Sequence, residues 1–215
     1  MSEQVAVKPA RPRRRLVREV IESVALALLI YALVVAFIPP FQVEGASMSP
    51  NLQNGERLLV NRGIYFHFDV NQLLNLLPGE NRHSKHVVYP FDTPHRGDII
   101  VFNPPVPSDK PYIKRVIGLP GETVTFHGGY VYIDGKRLDE PYIAGSITRC
   151  GRGEYCHIGP IPAGEVYVLG DNRTNSSDSR YFGPVPIDRI IGKAWIANWP
   201  PKDIGRVPNY AFPQQ

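Results

Sequence analysis

Three stretches of the sequence carry side chains able to break a covalent bond. The first is VEGASMSP, residues 43–50, where Ser47 follows Gly45 and Ala46 in a short polar segment. A serine hydroxyl is a weak nucleophile at its free pKa and needs a base beside it. The second is YIKRVIG, residues 112–118, where Lys114 and Arg115 interrupt an apolar strand pattern; Lys193 in GKAWIA is placed similarly. The third is GDNRTNSSDSRYFG, residues 170–183, which follows the apolar run Val166–Leu169 and is dense in Asp, Asn, Ser and Arg. Such a loop can hold a hydroxyl and an Asp–Arg pair against a neighbouring base. It reads equally as a solvated turn, in which Asn175-Ser176-Ser177 is an Asn-x-Ser sequon.

Two residue types compete for the role of base. The chain has six histidines, at 67, 83, 86, 95, 127 and 157. Triad partners meet in space rather than in sequence, so spacing excludes none of them. None sits in a dense polar motif, however, and four lie between residues 61 and 96. A free lysine has a pKa of about 10.4, so its neutral form at pH 7 is below roughly one part in 10³. Making half of it neutral takes a depression of ~3 units, which only a buried position supplies. Strand alternation puts Lys114 on a face with Tyr112 and Val116, and Arg115 on the other with Ile113 and Ile117. Both faces are apolar, so the pattern leaves open which charge points inward, or whether both are edge-strand charges.

These residues must be positioned by what surrounds them. Residues 1–18 carry Lys8, Arg11, Arg13, Arg14, Arg15 and Arg18 against Glu3 alone. The basic excess sits in this tail and the body is near neutral, which argues against a nucleic-acid partner. From Ser23 to Val43 there is no charged residue, about the length a spanning helix needs. A cleaved secretory signal would also be basic and then apolar, and Gly45-Ala46-Ser47 offers small residues for its removal. The run exceeds the usual apolar core of such a signal, so a retained anchor is expected. The expected organisation is a basic cytoplasmic tail over 1–20, a transmembrane helix over 21–41 and an extracytoplasmic domain over 42–215. Positive charge stays inside, which puts the N-terminus in the cytoplasm.

Beyond the anchor, short runs rich in Val, Ile, Tyr and Phe alternate with turn residues. They predict strands over 57–60, 98–102, 112–117, 122–126, 130–133, 165–169 and 190–196. His127-Gly128-Gly129 and Asp134-Gly135 read as hairpin turns. The fold expected is mainly β: one N-terminal transmembrane helix, then coiled antiparallel β-sheets with long loops. Residues 61–96 read as an insertion, and 123–165 as a β-hairpin subdomain. Within the insertion, Asp69 to Leu77 places Leu73, Leu74, Leu76 and Leu77 on one helical face. That helix either packs on its own domain or touches the bilayer. Cys150 and Cys156 flank a Gly-rich loop; outside the cell they are candidates for a disulfide, with free thiols or a metal as alternatives.

Taken together, four stretches occur in the order of one family. They are Ser47-Met48-Ser49-Pro50-Asn51-Leu52, Gly55-Glu56-Arg57-Leu58-Leu59-Val60, Lys114-Arg115-Val116-Ile117-Gly118-Leu119-Pro120-Gly121-Glu122, and Gly170-Asp171-Asn172 through Ser176, Asp178, Ser179, Arg180 and Gly183. The chain resembles the bacterial type I signal peptidases, the membrane-bound leader peptidases. The resemblance implies a serine endopeptidase of the inner or plasma membrane that removes signal peptides after an Ala-x-Ala type site. Ser47 would be its nucleophile and Lys114 its general base. The Ser176 hydroxyl would orient the Lys114 amine, and Asp178 and Arg180 would shape the loop, with Arg115 as a further partner. Val43 and Met48 would wall pockets for small side chains. The implied partners are exported preproteins and the lipid bilayer, with the secretion translocon as a further candidate; no cofactor or metal is implied. Asn51 stands where Thr is usual, and Glu56 and Glu122 where Asp is usual. Gly45 lacks the hydroxyl that some members direct into the oxyanion hole, leaving the Ser47 N–H with a glycine N–H or water.

Two other classes share parts of this pattern. An inert anchored β-domain that binds a partner would tolerate loss of Ser47 or Lys114. A self-cleaving Ser–Lys regulator would carry a soluble DNA-binding head, which an N-terminal anchor argues against.

Overall fold

The computed structural model describes residues 13–75, 87–143, 145, 147–150 and 155–212. The chain forms two compact units, divided between Phe37 and Ile38. The first contains one helix, α1 (Arg13–Phe37), of 25 residues. At 1.5 Å per residue it is about 37 Å long. Its stretch Arg14–Phe37 is long and apolar enough to cross a membrane. The helix differs from the expected 21–41 at both ends. It takes in the arginines from Arg13 onward and stops before Pro39-Pro40, because a residue preceding proline is disfavoured in helical geometry. Residues 40–42 then become strand instead of anchor.

The second unit is built from short strands. In chain order they are β1 (Pro40–Gln42), β2 (Arg57–Asn61), β3 (Phe68–Asp69), β4 (Val87–Val88), β5 (Ile99–Phe102), β6 (Tyr112–Gly118), β7 (Val124–His127), β8 (Tyr130–Ile133), β9 (Lys136–Arg137), β10 (Cys156–Ile158), β11 (Glu165–Leu169), β12 (Val185–Pro186), β13 (Ile190–Trp199) and β14 (Gly205–Arg206). A large sheet runs β1-β2-β13-β5-β6-β11-β12, with β14 on β13. A second sheet runs β10-β7-β8-β9, and β3-β4 form a two-stranded ribbon. The fold is mainly β, as expected. The register of β13 shifts against both β2 and β5. Such bulges bend a strand and raise its twist, which coils the sheet. Gly128 and Gly129 close the β7–β8 hairpin at φ +57° and +85°, and Asp134 and Gly135 close β8–β9 at +48° and +80°. These two-residue, positive-φ turns match the twist of the strands they join.

Three apolar cores lie around the large sheet. Met48, Leu52, Leu58 and Ile99 belong to one. Ile100, Phe102, Val116 and Val168 belong to another. Ile117, Phe126, Tyr167 and Leu169 belong to a third, shared with the second sheet. Consecutive residues Val116 and Ile117 thus enter different cores. Strand β6 is covered on both faces, so Lys114 and Arg115 are both buried. In the predicted insertion, α2 (Val70–Leu74) follows β3. It is shorter than the helix expected over Asp69 to Leu77; Leu76 and Leu77 lie outside the described residues.

Candidate active site

The site joins three parts of the second unit: the loop after β1, strand β6, and the loop after β11. Ser47 comes from the first and Lys114 from the second. Lys114 Nζ lies 2.8 Å from Ser47 Oγ and donates to the Ile113 carbonyl, also at 2.8 Å. Lys114 is only 4% exposed and has no carboxylate within ion-pair distance among the described residues. Burial pulls its amine down from 10.5 to about 8, against the Asp178 and Asp171 carboxylates, which favour the charged form. Lys193, its rival in the sequence, is instead paired with Asp98 at 2.5 Å. The described histidines lie elsewhere: His67 meets the Tyr65 carbonyl, His95 Asp92, His157 Thr125, and the His127 ring packs against Tyr132 and Tyr155.

The loop after β11 holds the nucleophile by its backbone. Asn172 N–H donates to the Ser47 carbonyl at 3.0 Å, and Asn172 Nδ2 donates to the Ala46 carbonyl at 3.0 Å. The loop is tied down in turn by three buried ion pairs, one of them between Arg173 and Glu140. Arg115 meets Asp171 through two parallel bonds, Nε to Oδ1 at 2.8 Å and Nη2 to Oδ2 at 2.7 Å. Arg180 binds Asp178 from two residues away, Nε to Oδ1 and Nη2 to Oδ2, each at 2.8 Å. Asp178 also caps the short helix α3 (Ser179–Phe182) and accepts from the Gly170 N–H. Bidentate geometry of this kind fixes orientation as well as charge.

A cleft of about 660 Å³ opens at Ser47 and Lys114. Residues 41–44 line it from one chain segment and residues 108–113 from another, with Leu58 and Val101 adding apolar surface. The Ser47 N–H has no partner among the described residues.

The chain matches the family described as "Signal peptidase, peptidase S26" over residues 17–199. The chain belongs to this family. It is therefore a peptide-bond hydrolase of the serine endopeptidase type. It is 35% identical to a signal peptidase I of Bacillus amyloliquefaciens, the match covering 87% of this chain and 86% of that one. It is 37% identical to signal peptidase I S of Bacillus subtilis, over 76% of each chain. A solved signal peptidase I from Enterococcus faecalis V583 is 34% identical, covers 47% of this chain and 97% of its own, and superposes with a TM-score of 0.39.

Within this peptidase the site residues expected from sequence fall into two groups. Ser47 and Lys114 meet, and Val43 lines the cleft. Others are placed differently. Ser176 makes no hydrogen bond to Lys114; its hydroxyl is buried and without a partner among the described residues, because the Lys114 amine is turned to Ser47 and Ile113. Arg115 pairs with Asp171 rather than with the Asp178–Arg180 pair. Met48 is fully buried in the core and does not line the cleft. The Gly45 N–H, a candidate for the oxyanion hole, donates to Asn54 Oδ1 at 2.8 Å. Cys150 and Cys156 are disulfide-bonded.

The departures from the usual family residues have local roles. Asn51 Nδ2 donates to both Asp171 Oδ2 and the Tyr142 carbonyl at 2.8 Å, which a threonine hydroxyl, with one hydrogen, cannot do. Glu122 binds Arg96 and accepts from the Leu119 N–H.

Two residues escaped the sequence reading as site components: Asn172, which clamps the nucleophile loop, and Gly170. A Cβ at 170 would sit 2.2 Å from Ser176 Oγ and 2.5 Å from the Ser47 carbonyl oxygen. The carbonyl belongs to backbone, so the nucleophile loop must shift. Displacements of about 1 Å at a reacting group cost up to 10²-fold. Gly170→Ala is expected to lower kcat by about tenfold or more with little change in KM. Steady-state kinetics on a peptide substrate check this.

Proposed function

We propose that the protein is a membrane-anchored endopeptidase that removes N-terminal signal peptides from exported preproteins. Ser47 acts as nucleophile and Lys114 as general base, and cutting follows small residues of an Ala-x-Ala type site. The observation that carries this reading is the 2.8 Å contact between Ser47 Oγ and a buried lysine amine that has no ion-pair partner among the described residues.

The chemistry follows from that contact. With a pKa of about 8, roughly a tenth of Lys114 is neutral at pH 7, against about three parts in 10⁴ at 10.5. The neutral amine accepts the Ser47 proton as Oγ attacks the scissile carbonyl. The Ser47 N–H stands ready to donate to the developing oxyanion, a contribution of ~3–4 kcal/mol where one such donor is removed. The Lys114 ammonium then gives its proton to the leaving amine. In the second half, the same amine takes a proton from water as it attacks the ester.

The cleft fits an extended chain of small residues. Strand β1 ends the large sheet, so one of its edges is free to pair with substrate backbone. Val43, Leu58 and Val101 supply apolar surface close to the nucleophile. The basic residues at the N-terminal side of α1 support an orientation with that end in the cytoplasm and the catalytic unit outside.

The test is cleavage of a purified preprotein carrying an Ala-x-Ala site by the detergent-solubilised full chain, with the product's new N-terminus sequenced. Cleavage directly after the second alanine is expected. A well-folded protein that leaves the preprotein intact would favour the anchored binding domain instead.

A further inference from the structure

Two charges meet across the cleft. Lys110 Nζ lies 2.6 Å from Glu44 Oε2, and both residues line the cleft, from two separate chain segments. Their backbones are held. The Val43 N–H donates to the Glu56 carbonyl and the Gly55 N–H to the Val43 carbonyl, which fixes the chain just before Glu44. Lys110 N–H donates to Ser108 Oγ, whose hydroxyl donates back to the Lys110 carbonyl, and Pro111 restricts the Lys110 backbone that precedes it. The pair is therefore a tie between two chain segments that line the cleft, the first anchored to residues 55 and 56 and the second braced locally. Its side chains are 67% and 59% exposed, so water and salt compete for it and it opens readily.

We propose that Glu44 and Lys110 are specificity-determining residues: their ion pair is a bar across the peptide cleft that an entering chain opens, and the two freed charges then read the charge of the substrate residue beneath them. This rests on the cleft being the peptide site of the endopeptidase proposed above. A neutral segment separates the pair and returns nothing. An acidic substrate residue replaces Glu44 at Lys110, and a basic one replaces Lys110 at Glu44. Asp109, which also lines the cleft, adds a constant negative charge that exchanging the pair leaves in place.

The experiment uses the full chain in neutral detergent and a neutral parent peptide with an Ala-x-Ala site. Companion peptides carry a single Asp or a single Lys walked through the positions flanking the scissile bond. Wild type is compared with Glu44→Gln, with Lys110→Met and with the exchange Glu44→Lys/Lys110→Glu. Ionic strengths of about 0.02 M and about 0.5 M give screening lengths that differ roughly fivefold. For the parent peptide at low salt, each single variant is expected to lower KM about two- to threefold with kcat unchanged, as salt does for wild type. The exchange restores the wild-type KM and its salt response. At one substrate position wild type discriminates Asp from Lys severalfold, and the exchange inverts the preference. Equal KM in all four proteins, or no position at which the preference inverts, would overturn the proposal while leaving the peptidase intact. Failure of wild type to cleave even the parent peptide would overturn the endopeptidase reading, and the bar with it.

Discussion

Ser47→Ala and Lys114→Met are each expected to lower kcat/KM on a preprotein by at least about 10³-fold, roughly 4 kcal/mol of transition-state stabilisation. The first removes the atom that forms the acyl-enzyme. The second removes the only group hydrogen-bonded to that atom among the described residues. A positioned base alone contributes about 10²–10⁴-fold. The two act as a unit, so the double variant should be little worse than either single one. Lys114→Arg should fare no better, because a guanidinium does not deprotonate usefully at these pH values. Circular dichroism and retention in the detergent micelle show that the variants remain folded and inserted. Activity within tenfold of wild type in Lys114→Met would remove the dyad.

The same lysine makes a second, opposite prediction for stability. An unfolded lysine holds its proton up to about 10.5, whereas Lys114 in the fold releases it at about 8. Below pH 8 both states are protonated, and the fold bears the full cost of a buried ammonium. At 1.36 kcal/mol per unit that cost is about 3 kcal/mol. It is relieved as pH rises from about 8 to about 10.5, where the unfolded chain also loses the proton. Lys114→Met has a similar length and no charge; it gives up the bonds to Ser47 Oγ and the Ile113 carbonyl, which offsets part of the gain. The variant is therefore expected to be more stable than wild type at pH 7 by up to about 3 kcal/mol, with the gap closing above about pH 10. Chemical unfolding of the full chain in detergent across this range measures it. A gap that is absent at pH 7, or that widens with pH, would contradict the buried-ammonium account.

How much of this was legible in the sequence depended on the range of the interaction. Local pattern was readable. Val and Ile runs marked seven of the strands, and Gly-Gly and Asp-Gly marked two hairpin turns whose positive φ the fold requires. The apolar run marked α1, and Pro39-Pro40 carried the stop that limits it to Phe37. Strands of two or three residues, such as β3, β4 and β12, were not readable, because so few residues establish no alternation.

The site was legible in part for the same reason. Ser47 and Lys114 are 67 positions apart and were joined through family resemblance, not spacing. The pattern of β6 could not say whether Lys114 or Arg115 points inward, because the strand is covered on both faces and both are buried. What distinguishes them is the partner: Asp171 pairs directly with Arg115, and among the described residues no carboxylate lies within ion-pair distance of Lys114. Gly170 carries no sign in sequence that its missing Cβ leaves room for Ser176 and the Ser47 carbonyl. The family resemblance implied Met48 as a pocket residue, but the turn of the loop sends it into the core.

The central claim is that a neutral Lys114 is the base, and the pH dependence of wild-type kcat/KM tests it most directly. Activity requires the unprotonated amine, so kcat/KM should rise tenfold per pH unit from about pH 6 and level off above about 8. An inflection near 6.5 would point to a histidine base. A rise continuing unbroken towards 10.4 would mean that Lys114 is not depressed, and either result would contradict the account.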